Sequence, residues 1–263
     1  MKCNILKTPI DQLHGRSLMG RIGLVAASLA MPLGVYAGDE VATAHPPRLI
    51  VQITVDALRA DLPYRYAHVL GDDGFRALWR NGVNYTNAHY EHANTETIVG
   101  HVSLATGSVP AAHGMVGNVW FDREKGRLVY NIEDARYRLL TAGGDADKKT
   151  EIDPTQKAAK VDGRSPAAIL SSTFSDELMV HYGGKSKIFG VSVKDRGAVS
   201  LAGHAGKAFW FSKSSGEFVS STYYYKQYPD WVNAWNARKP ALAYAGKSWS
   251  LLHAPETSSF SWS

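Results

Sequence analysis

The sequence contains very little cysteine. Its 263 residues include one, Cys3, and that residue lies in a leader segment that we predict to be removed. The mature chain would then have no disulfide, no thiolate metal ligand and no cysteine nucleophile. A domain of this size does not need covalent cross-links for stability, so the lack of thiols is compatible with export.

An apolar run long enough to cross a membrane is also missing. Ile22 to Val35 is shorter than the ~20 residues of a membrane span, and glycine and proline interrupt it. It follows a basic region and precedes Val35-Tyr36-Ala37, which suits a signal peptidase. Residues 1–37 are therefore predicted to be a secretory signal peptide, with cleavage before Gly38. The alternative is a retained membrane anchor.

A strong excess of positive charge is absent once the leader is discounted. The formal net charge is +5, and removing four basic residues and one acidic residue with the leader leaves +2. We therefore predict no nucleic-acid partner, no stable membrane anchor after cleavage, and a periplasmic or secreted location. Hydrophobic residues make up 44% of the chain, which is typical of a globular protein. The sequence gives no indication of an oligomeric state.

What the sequence does contain is an alternation of strand and helix patterns, which predicts an α/β domain with a parallel sheet flanked by helices. The predicted strands are residues 48–55, 83–90 and 187–193, and the predicted helices are residues 74–79, 97–106 and 167–182. We assign residues 38–202 to the first part of this domain. Residues 203–263 have clustered aromatic residues and are interpreted as the start of a cap or insertion.

Two polar residues fall where such a fold places chemistry. Asp56 follows the first predicted strand, at the edge where open α/β sheets bind ligands, and could bind a metal through its carboxylate. Thr97 lies at a predicted helix start, where unpaired N–H groups favour an anion. Its hydroxyl becomes a nucleophile only if a base or metal activates it. The alternatives are a capping threonine and a turn-forming aspartate.

Three further residues could bind the oxygens of an anionic group. Asn118 follows a glycine-containing loop and could donate its amide to a phosphoryl oxygen. Lys194 and Arg196 follow another predicted strand and would add positive charge for a transition state. A solvated surface loop is the alternative for the lysine and arginine.

Several ordered motifs resemble those of the alkaline phosphatase superfamily. In particular they resemble the phosphate-irrepressible, threonine-nucleophile alkaline phosphatases, which are related to the nucleotide pyrophosphatase/phosphodiesterases. The motifs are Val51 to Asp56 with Arg59 and Asp61, Thr95 to His101, Thr106 to Pro110, His113 to Asn118, Val191 to Arg196, and Gly203 to Ala205. Together they extend the resemblance from about residue 48 over nearly all of the mature chain.

The resemblance implies hydrolysis of small phosphate monoesters at a site with two zinc ions. Thr97 would form a phosphothreonine intermediate, and Asn118, Lys194 and Arg196 would bind the phosphoryl oxygens. Asp56 would bind one zinc ion, with Thr97 facing the metals. The cationic pair favours monoesters over diesters, because a monoester offers a third charged oxygen.

The chain departs from the family in its metal ligands. Family members bind their metals mainly through the second half of a longer chain, with an aspartate and a histidine four residues later, an Asp-His pair and a distant histidine. After Arg196 this sequence has one aspartate, Asp230, and two histidines, His204 and His253, and it has no Asp-His dipeptide. A two-metal centre needs about three to four protein ligands per zinc. We therefore expect an incomplete domain that binds zinc poorly and has little activity by itself.

Other functions fit the sequence less well. A sulfatase needs a Cys/Ser-Xxx-Pro-Xxx-Arg motif, and residues 108–112 lack its arginine. A P-loop is also absent, because residues 203–207 have the wrong spacing. A phosphodiesterase or nucleotide pyrophosphatase remains the second enzyme hypothesis, and an inactive remnant that at most binds phosphate is the third. His92, His101 and His113 are interpreted as structural.

Overall fold

The computed structural model describes residues 46–248 and residue 250. The predicted signal peptide, residues 1–37, lies outside the described residues. The chain divides into two units, residues 1–52 and residues 53–263, and the described part of the first contains neither helix nor strand. Nowhere in the described part is a helix long and apolar enough to cross a membrane.

Short helices and short strands follow one another along the second unit. The α-helices are α1 (Leu62–Arg65), α2 (Phe75–Asn81), α3 (Thr97–Thr106), α4 (Pro110–His113), α5 (Pro154–Lys157), α6 (Phe174–His181), α7 (Asp195–Ala202) and α8 (Asp230–Ala237). The strands are β1 (Val119–Asp122), β2 (Arg127–Tyr130), β3 (Phe189–Ser192), β4 (Lys207–Ser212) and β5 (Glu217–Val219). Two 3-10 helices, Ala67–Val69 and Pro240–Tyr244, complete the described elements. The predicted α/β class is confirmed.

The main sheet has the strand order β3-β4-β5. β3 and β4 are parallel, with Phe189 opposite Lys207, and α7 connects them. Parallel neighbours need such a crossover, because the chain must return to the same end of the sheet. β5 pairs antiparallel with β4, and β1 and β2 form a separate antiparallel hairpin.

The hydrophobic core surrounds α7, which packs against α3 and against both β3 and β4. The approach is closest at Gly190, where a Cβ atom would lie 2.3 Å from the carbonyl oxygen of Ala198. Removing apolar surface from water here is the main stabilising contribution to the fold. Side chains buried in this region include Ile98, Val99, Val102, Ala198, Val199, Ala202 and Ala208.

Two of the predicted strands are wrong. Residues 48–55 and 83–90 contain no β-strand, and neither segment has a strand partner among the described residues. Their apolar side chains are exposed, with Ile53 at 76% and Val83 at 81% of full exposure. A strand exists through hydrogen bonds to a neighbouring strand. A β-branched composition shows a preference for such a surface and does not supply the partner.

The helix predicted over residues 167–182 begins later than expected, at Phe174. Thr173 caps it. Its hydroxyl accepts the N–H of Asp176 at 3.2 Å, and the Asp176 carboxylate accepts the N–H of Thr173 at 2.9 Å. This reciprocal capping box sets the helix start. The earlier serine-proline pair precedes a turn rather than a helix.

The remaining element predictions hold. The helix predicted over residues 97–106 is confirmed at both ends as α3, and the one over residues 74–79 is present as α2. The strand predicted over residues 187–193 is present as the shorter β3. β4 and β5 lie within residues 203–263, so the sheet continues past residue 202 into the stretch interpreted as a cap.

Candidate active site

Thr97 is the first residue of α3. The N-cap position belongs to Glu96, and the helix ends at Gly107, whose φ of 64° is left-handed. Glycine adopts this conformation without strain, which explains why the helix stops there. The structure therefore places the Thr97 hydroxyl within the first turn instead of at the cap, among N–H groups that lack helical partners.

Thr97 and Asp56 line one cleft of about 360 Å³. The described residues that form its walls are Thr54 to Arg59, Tyr90, Thr95 to Thr97, Gly100, His101 and Leu104. Asp56 reaches the cleft from a turn, and the residues before it form no strand. The structure thus brings the two predicted metal-facing residues together, and Asn118, Lys194 and Arg196 are not among the described residues of its walls.

Asn118 forms hydrogen bonds with residues at the start of α3. Its side-chain Oδ1 accepts the N–H of Ile98 at 3.1 Å, so it caps a helix that begins 21 residues earlier. Its own backbone N–H donates to Oε2 of Glu96 at 2.6 Å. The side chain is buried, with 8% exposure. With Oδ1 on the helix, Nδ2 is the atom that could donate to an anion near Thr97.

Two of the three histidines near α3 form a hydrogen-bonded chain through Ser103. The Ser103 hydroxyl lies 3.0 Å from Nε2 of His92 and 3.1 Å from Nε2 of His113. Nδ1 of His113 accepts the N–H of Met115, so His113 carries its proton on Nε2. Burial, and next the nearby His92, lower the pKa of His113. These contacts agree with a structural role for both histidines.

The third histidine, His101, lies one turn after Thr97. Its Nδ1 lies 2.8 Å from the carbonyl oxygen of Thr97. A Cβ atom on Gly197 would lie 3.7 Å from Nε2 of His101. The start of α7 therefore packs close to the first turns of α3, which brings the segment that carries Lys194 and Arg196 towards the Thr97 helix.

Lys194 and Arg196 converge on one carboxylate oxygen. Oδ2 of Asp153 lies 2.9 Å from Nζ of Lys194 and 3.0 Å from Nη2 of Arg196. Oδ1 of Asp153 accepts both the N–H and the hydroxyl of Thr155. Burial opposes ionisation of Asp153, but these hydrogen bonds and the Arg196 charge outweigh it, so the pKa of Asp153 lies well below its usual range.

The residue between the two cations, Asp195, points into the protein. It is 4% exposed, forms an ion pair with Nε of Arg164 at 2.7 Å, and accepts the hydroxyl of Tyr130 at 2.6 Å. Arg164 also binds Asp145 at 2.8 Å. Burial alone would raise the pKa of Asp195. The Arg164 charge and the Tyr130 hydrogen bond outweigh burial, so the pKa of Asp195 lies below its ordinary value. The start of α7 is therefore anchored by a buried, ionised network.

Sequence reasoning missed the residues that hold these groups, namely Glu96, Tyr130, Asp153 and Arg164. One local signal existed. Asp153 precedes a proline and caps α5, and this pattern is typical of a helix start. It did not indicate that the same carboxylate would also bind a lysine and an arginine about 40 residues later.

The described residues do not form a complete zinc site. Asp56 and Thr97 contribute one carboxylate and one hydroxyl to the shared cleft. Within residues 46–248, no group of three or more histidine, cysteine, aspartate or glutamate side chains is arranged to hold a metal ion. Because zinc sites use three or four protein ligands, these two residues can be only part of such a site.

Comparison with known proteins gives a consistent family. Residues 50–242 match the family described as Type I phosphodiesterase / nucleotide pyrophosphatase. The chain is 34% identical to alkaline phosphatase PafA of Elizabethkingia meningoseptica over 83% of its own length and 38% of PafA. It is 37% identical to alkaline phosphatase PhoV of Synechococcus elongatus over 82% of its own length and 36% of PhoV.

Solved structures agree with this family. The crystal structure of wild-type PafA matches with a TM-score of 0.67 and 34% identity, over 76% of this chain and 36% of that one. A PafA variant with a threonine, an asparagine, a lysine and an arginine replaced matches with the same TM-score, over 77% of this chain and 37% of that one. The chain thus spans well under half the length of these relatives. It belongs to the type I phosphodiesterase / nucleotide pyrophosphatase family and shares the alkaline-phosphatase-like α/β fold of PafA.

Proposed function

We propose that the protein hydrolyses phosphate monoesters, with Thr97 as the nucleophile. The observation that carries the proposal is the start of α3. Thr97 opens this helix in a cleft shared with Asp56, and the Asn118 amide caps its first turn. A hydroxyl, a carboxylate and an amide donor beside a helix N-terminus form a site suited to a phosphoryl group.

The spacing of four residues in a relative supports the same site. The threonine and asparagine replaced in the PafA variant are 21 positions apart, as are Thr97 and Asn118. The lysine and arginine replaced there are two positions apart, as are Lys194 and Arg196. We infer that the corresponding residues act as a group in this chain.

The proposed reaction proceeds by two displacements at phosphorus. The Thr97 oxygen attacks phosphorus, the bond from phosphorus to the ester oxygen breaks, and the proton lost by the Thr97 hydroxyl ends on the departing alcohol. Water then attacks phosphorus, the bond between phosphorus and the Thr97 oxygen breaks, and a proton from water restores the Thr97 hydroxyl as inorganic phosphate leaves. Nδ2 of Asn118 would donate to a phosphoryl oxygen, and Lys194 and Arg196 would balance the charge on the transferred group.

Zinc is part of this proposal, with two ions per site. When bound, zinc lowers the pKa of a coordinated hydroxyl and stabilises charge on phosphoryl oxygens. Asp56 and Thr97 would contribute two of its ligands. Because two ligands leave an ion mostly hydrated, we expect zinc to bind this chain weakly, and zinc titration by calorimetry measures that affinity.

The second candidate function is that of a phosphodiesterase or nucleotide pyrophosphatase, and the family match favours it. The positive charge of Lys194 and Arg196 favours monoesters, because a monoester offers a third charged oxygen, although both cations pair with Oδ2 of Asp153 in this structure. Small phosphate esters are the proposed substrates in either case.

We also propose export to the periplasm or medium, which mass spectrometry of the mature N-terminus tests. A mature chain that begins at Gly38 would support it, and an uncleaved chain would contradict it.

Hydrolysis of p-nitrophenyl phosphate and bis(p-nitrophenyl) phosphate in the presence of zinc tests the proposal. We expect faster turnover of the monoester than of the diester, with slow turnover by this chain alone. In a protein that supplies the remaining metal ligands, Thr97→Ala should lower the rate by several orders of magnitude, as for a lost nucleophile. Thr86→Ala, at an exposed position, is the matched control. Faster hydrolysis of the diester would favour the second function. Phosphate binding without turnover would favour an inactive remnant.

A further inference from the structure

We propose that Glu96 is a positioning residue whose carboxylate holds Asn118 beside the first turn of the Thr97 helix. The inference rests on the proposed function, because it concerns the nucleophile and the amide donor named there. It adds a residue whose side chain takes no part in the proposed chemistry and whose backbone only occupies the helix N-cap position.

Two hydrogen bonds run in opposite directions between the segments that carry Thr97 and Asn118. The N–H of Ile98 donates to Oδ1 of Asn118 at 3.1 Å, and the N–H of Asn118 donates to Oε2 of Glu96 at 2.6 Å. The second bond has a charged acceptor and is short, so it is the stronger of the two. Glu96 gives no side-chain cap to its own helix. It binds the loop that supplies the cap.

Neighbouring asparagines extend this connection. Nδ2 of Asn94 donates to the carbonyl oxygen of Val116 at 2.8 Å, and Oδ1 of Asn94 accepts the N–H of Glu96 at 3.1 Å. On the other side, Nδ2 of Asn131 donates to the carbonyl oxygen of Asn118 at 2.7 Å. The backbone at Asn118 is thus held at both its N–H and its C=O.

Gly117 lies beside both the Glu96 carboxylate and the backbone of the loop. A Cβ atom at that position would lie 3.1 Å from the carbonyl oxygen of Val119, which is a tight contact, and 3.6 Å from Oε2 of Glu96, which is an ordinary contact. The glycine before Asn118, which belongs to the His113 to Asn118 motif, therefore lets the backbone pack closely at Val119 next to the carboxylate.

The consequence concerns the donor atom. With Oδ1 of Asn118 bonded to the N–H of Ile98 and its backbone N–H bonded to Glu96, the amide that carries Nδ2 is restrained at the first turn of the Thr97 helix. Loss of the Glu96 bond would leave the loop held by Asn94 and Asn131 and let the amide move. Displacements of about 1 Å in a phosphoryl-binding donor are enough to weaken binding and catalysis strongly.

Comparison of Glu96→Gln with Glu96→Ala in the full chain tests the proposal. Both variants remove the charge, but the glutamine retains an acceptor oxygen for the Asn118 N–H. We measure amide hydrogen exchange at Asn118 and Ile98, and affinity for inorganic phosphate by calorimetry. Glu91→Ala, an exposed glutamate five residues earlier, is the control, and circular dichroism and exchange at Val102 check the fold.

We expect Glu96→Ala to speed exchange at Asn118 by about tenfold or more. It should bind phosphate about threefold to tenfold more weakly than Glu96→Gln, which is the contribution of one hydrogen bond. Equal exchange and equal phosphate affinity in the two variants would overturn the proposal. If neither the wild type nor any variant binds phosphate, the proposed function fails. The exchange rates at Asn118 and Ile98 would still decide the role of Glu96.

Discussion

The described residues before and after Ile98 differ sharply in how they are held. Residues 53–97 contain no buried side chain, whereas every buried side chain of the described part lies between Ile98 and Asn236. Asp56 is presented by the first stretch, and Lys194 and Arg196 by the second. The proposed metal-facing carboxylate therefore depends on an exposed segment without helix or strand, while the cationic pair depends on a buried network of ion pairs.

This difference indicates what holds each half of the proposed phosphoryl site in position. Around α7 the charges satisfy one another through Asp153, Asp195 and Arg164, and each bond restricts its neighbours. Around Asp56 the fold supplies no comparable restriction among the described residues. We therefore expect substitutions to cost much more stability after residue 98 than before it.

The largest effect should come from breaking the buried ion pair. Arg164→Ala leaves Asp195 charged, buried and without its main partner, and such a loss costs about 3–5 kcal/mol. Arg59, which pairs with Asp61 at the surface, is the matched arginine in the exposed stretch. Arg59→Ala should give no measurable change. Urea-induced unfolding measures both, and equal losses would remove the contrast between the two regions.

Apolar truncation gives a second comparison, with a somewhat smaller effect. Ile98 is fully buried and Ile53 is 76% exposed. Ile98→Ala should lower the free energy of unfolding by about 2–5 kcal/mol, because it removes buried surface and leaves a cavity. Ile53→Ala should change it by less than ~0.5 kcal/mol. A large loss from the Ile53 variant would mean that this side chain is buried in solution.

Glycine substitution tests the close packing at α7. A Cβ atom at Gly190 would overlap the carbonyl oxygen of Ala198 at 2.3 Å, whereas one at Gly71 would meet nothing within 4 Å. Gly190→Ala should therefore cost about 1–3 kcal/mol by forcing the strand and helix apart. Gly71→Ala should be neutral or slightly stabilising. Thermal unfolding of the two variants checks this, and a neutral Gly190→Ala would show that β3 and α7 are farther apart.

The smallest effect is a pH dependence at His204. A hydrogen bond from Nδ1 of His204 to Asp176, at 2.8 Å, raises the pKa of His204 above its ordinary 6.5. Protonation is therefore favoured by folding, so this stability is fully present below pH 6.5 and is lost as pH rises through the raised pKa. His113 has the opposite effect on stability. Because its pKa is lowered, it reduces the free energy of unfolding as pH falls below 6.5.

Unfolding free energies measured on both sides of that pKa test the assignment. The wild type should lose stability as pH rises through the raised pKa of His204, and His204→Gln should lose less over the same range. His181→Gln, at an exposed position, should keep the wild-type slope. An unchanged slope in the His204 variant would mean that the Asp176 contact does not survive in solution.

Local signals in the sequence predicted part of this fold well. α3 is correct to the residue because an apolar run and a glycine stop act within ten positions. β3 was predicted from its β-branched and apolar residues, although only Gly190 of the strand is buried. Residues 48–55 have the same composition and form no strand, since pairing depends on a neighbour that composition cannot specify. The β1-β2 hairpin and β4 were missed for the same reason.

The candidate site was predictable by residue type and much less by contact. Thr97 and Asp56 were placed together and line one cleft. Asp153, the partner of both Lys194 and Arg196, was not predicted. It lies about 40 residues before them in the sequence, and a single aspartate gives no local sequence signal for the cation that it binds. Glu96 was visible as part of a motif, and only its contact with Asn118 suggests what its carboxylate does.

Thr97 is the residue that we propose accepts the phosphoryl group. The direct measurement is an acid-quenched reaction of the full chain with p-nitrophenyl phosphate and excess zinc, followed by peptide mass spectrometry. Labelling can be slow, because a single turnover is sufficient even with weakly bound metal. We expect one phosphate group on Thr97 in the wild type and none in Thr97→Ala. Release of p-nitrophenol that continues in Thr97→Ala, or a phosphate group on another residue, would contradict it.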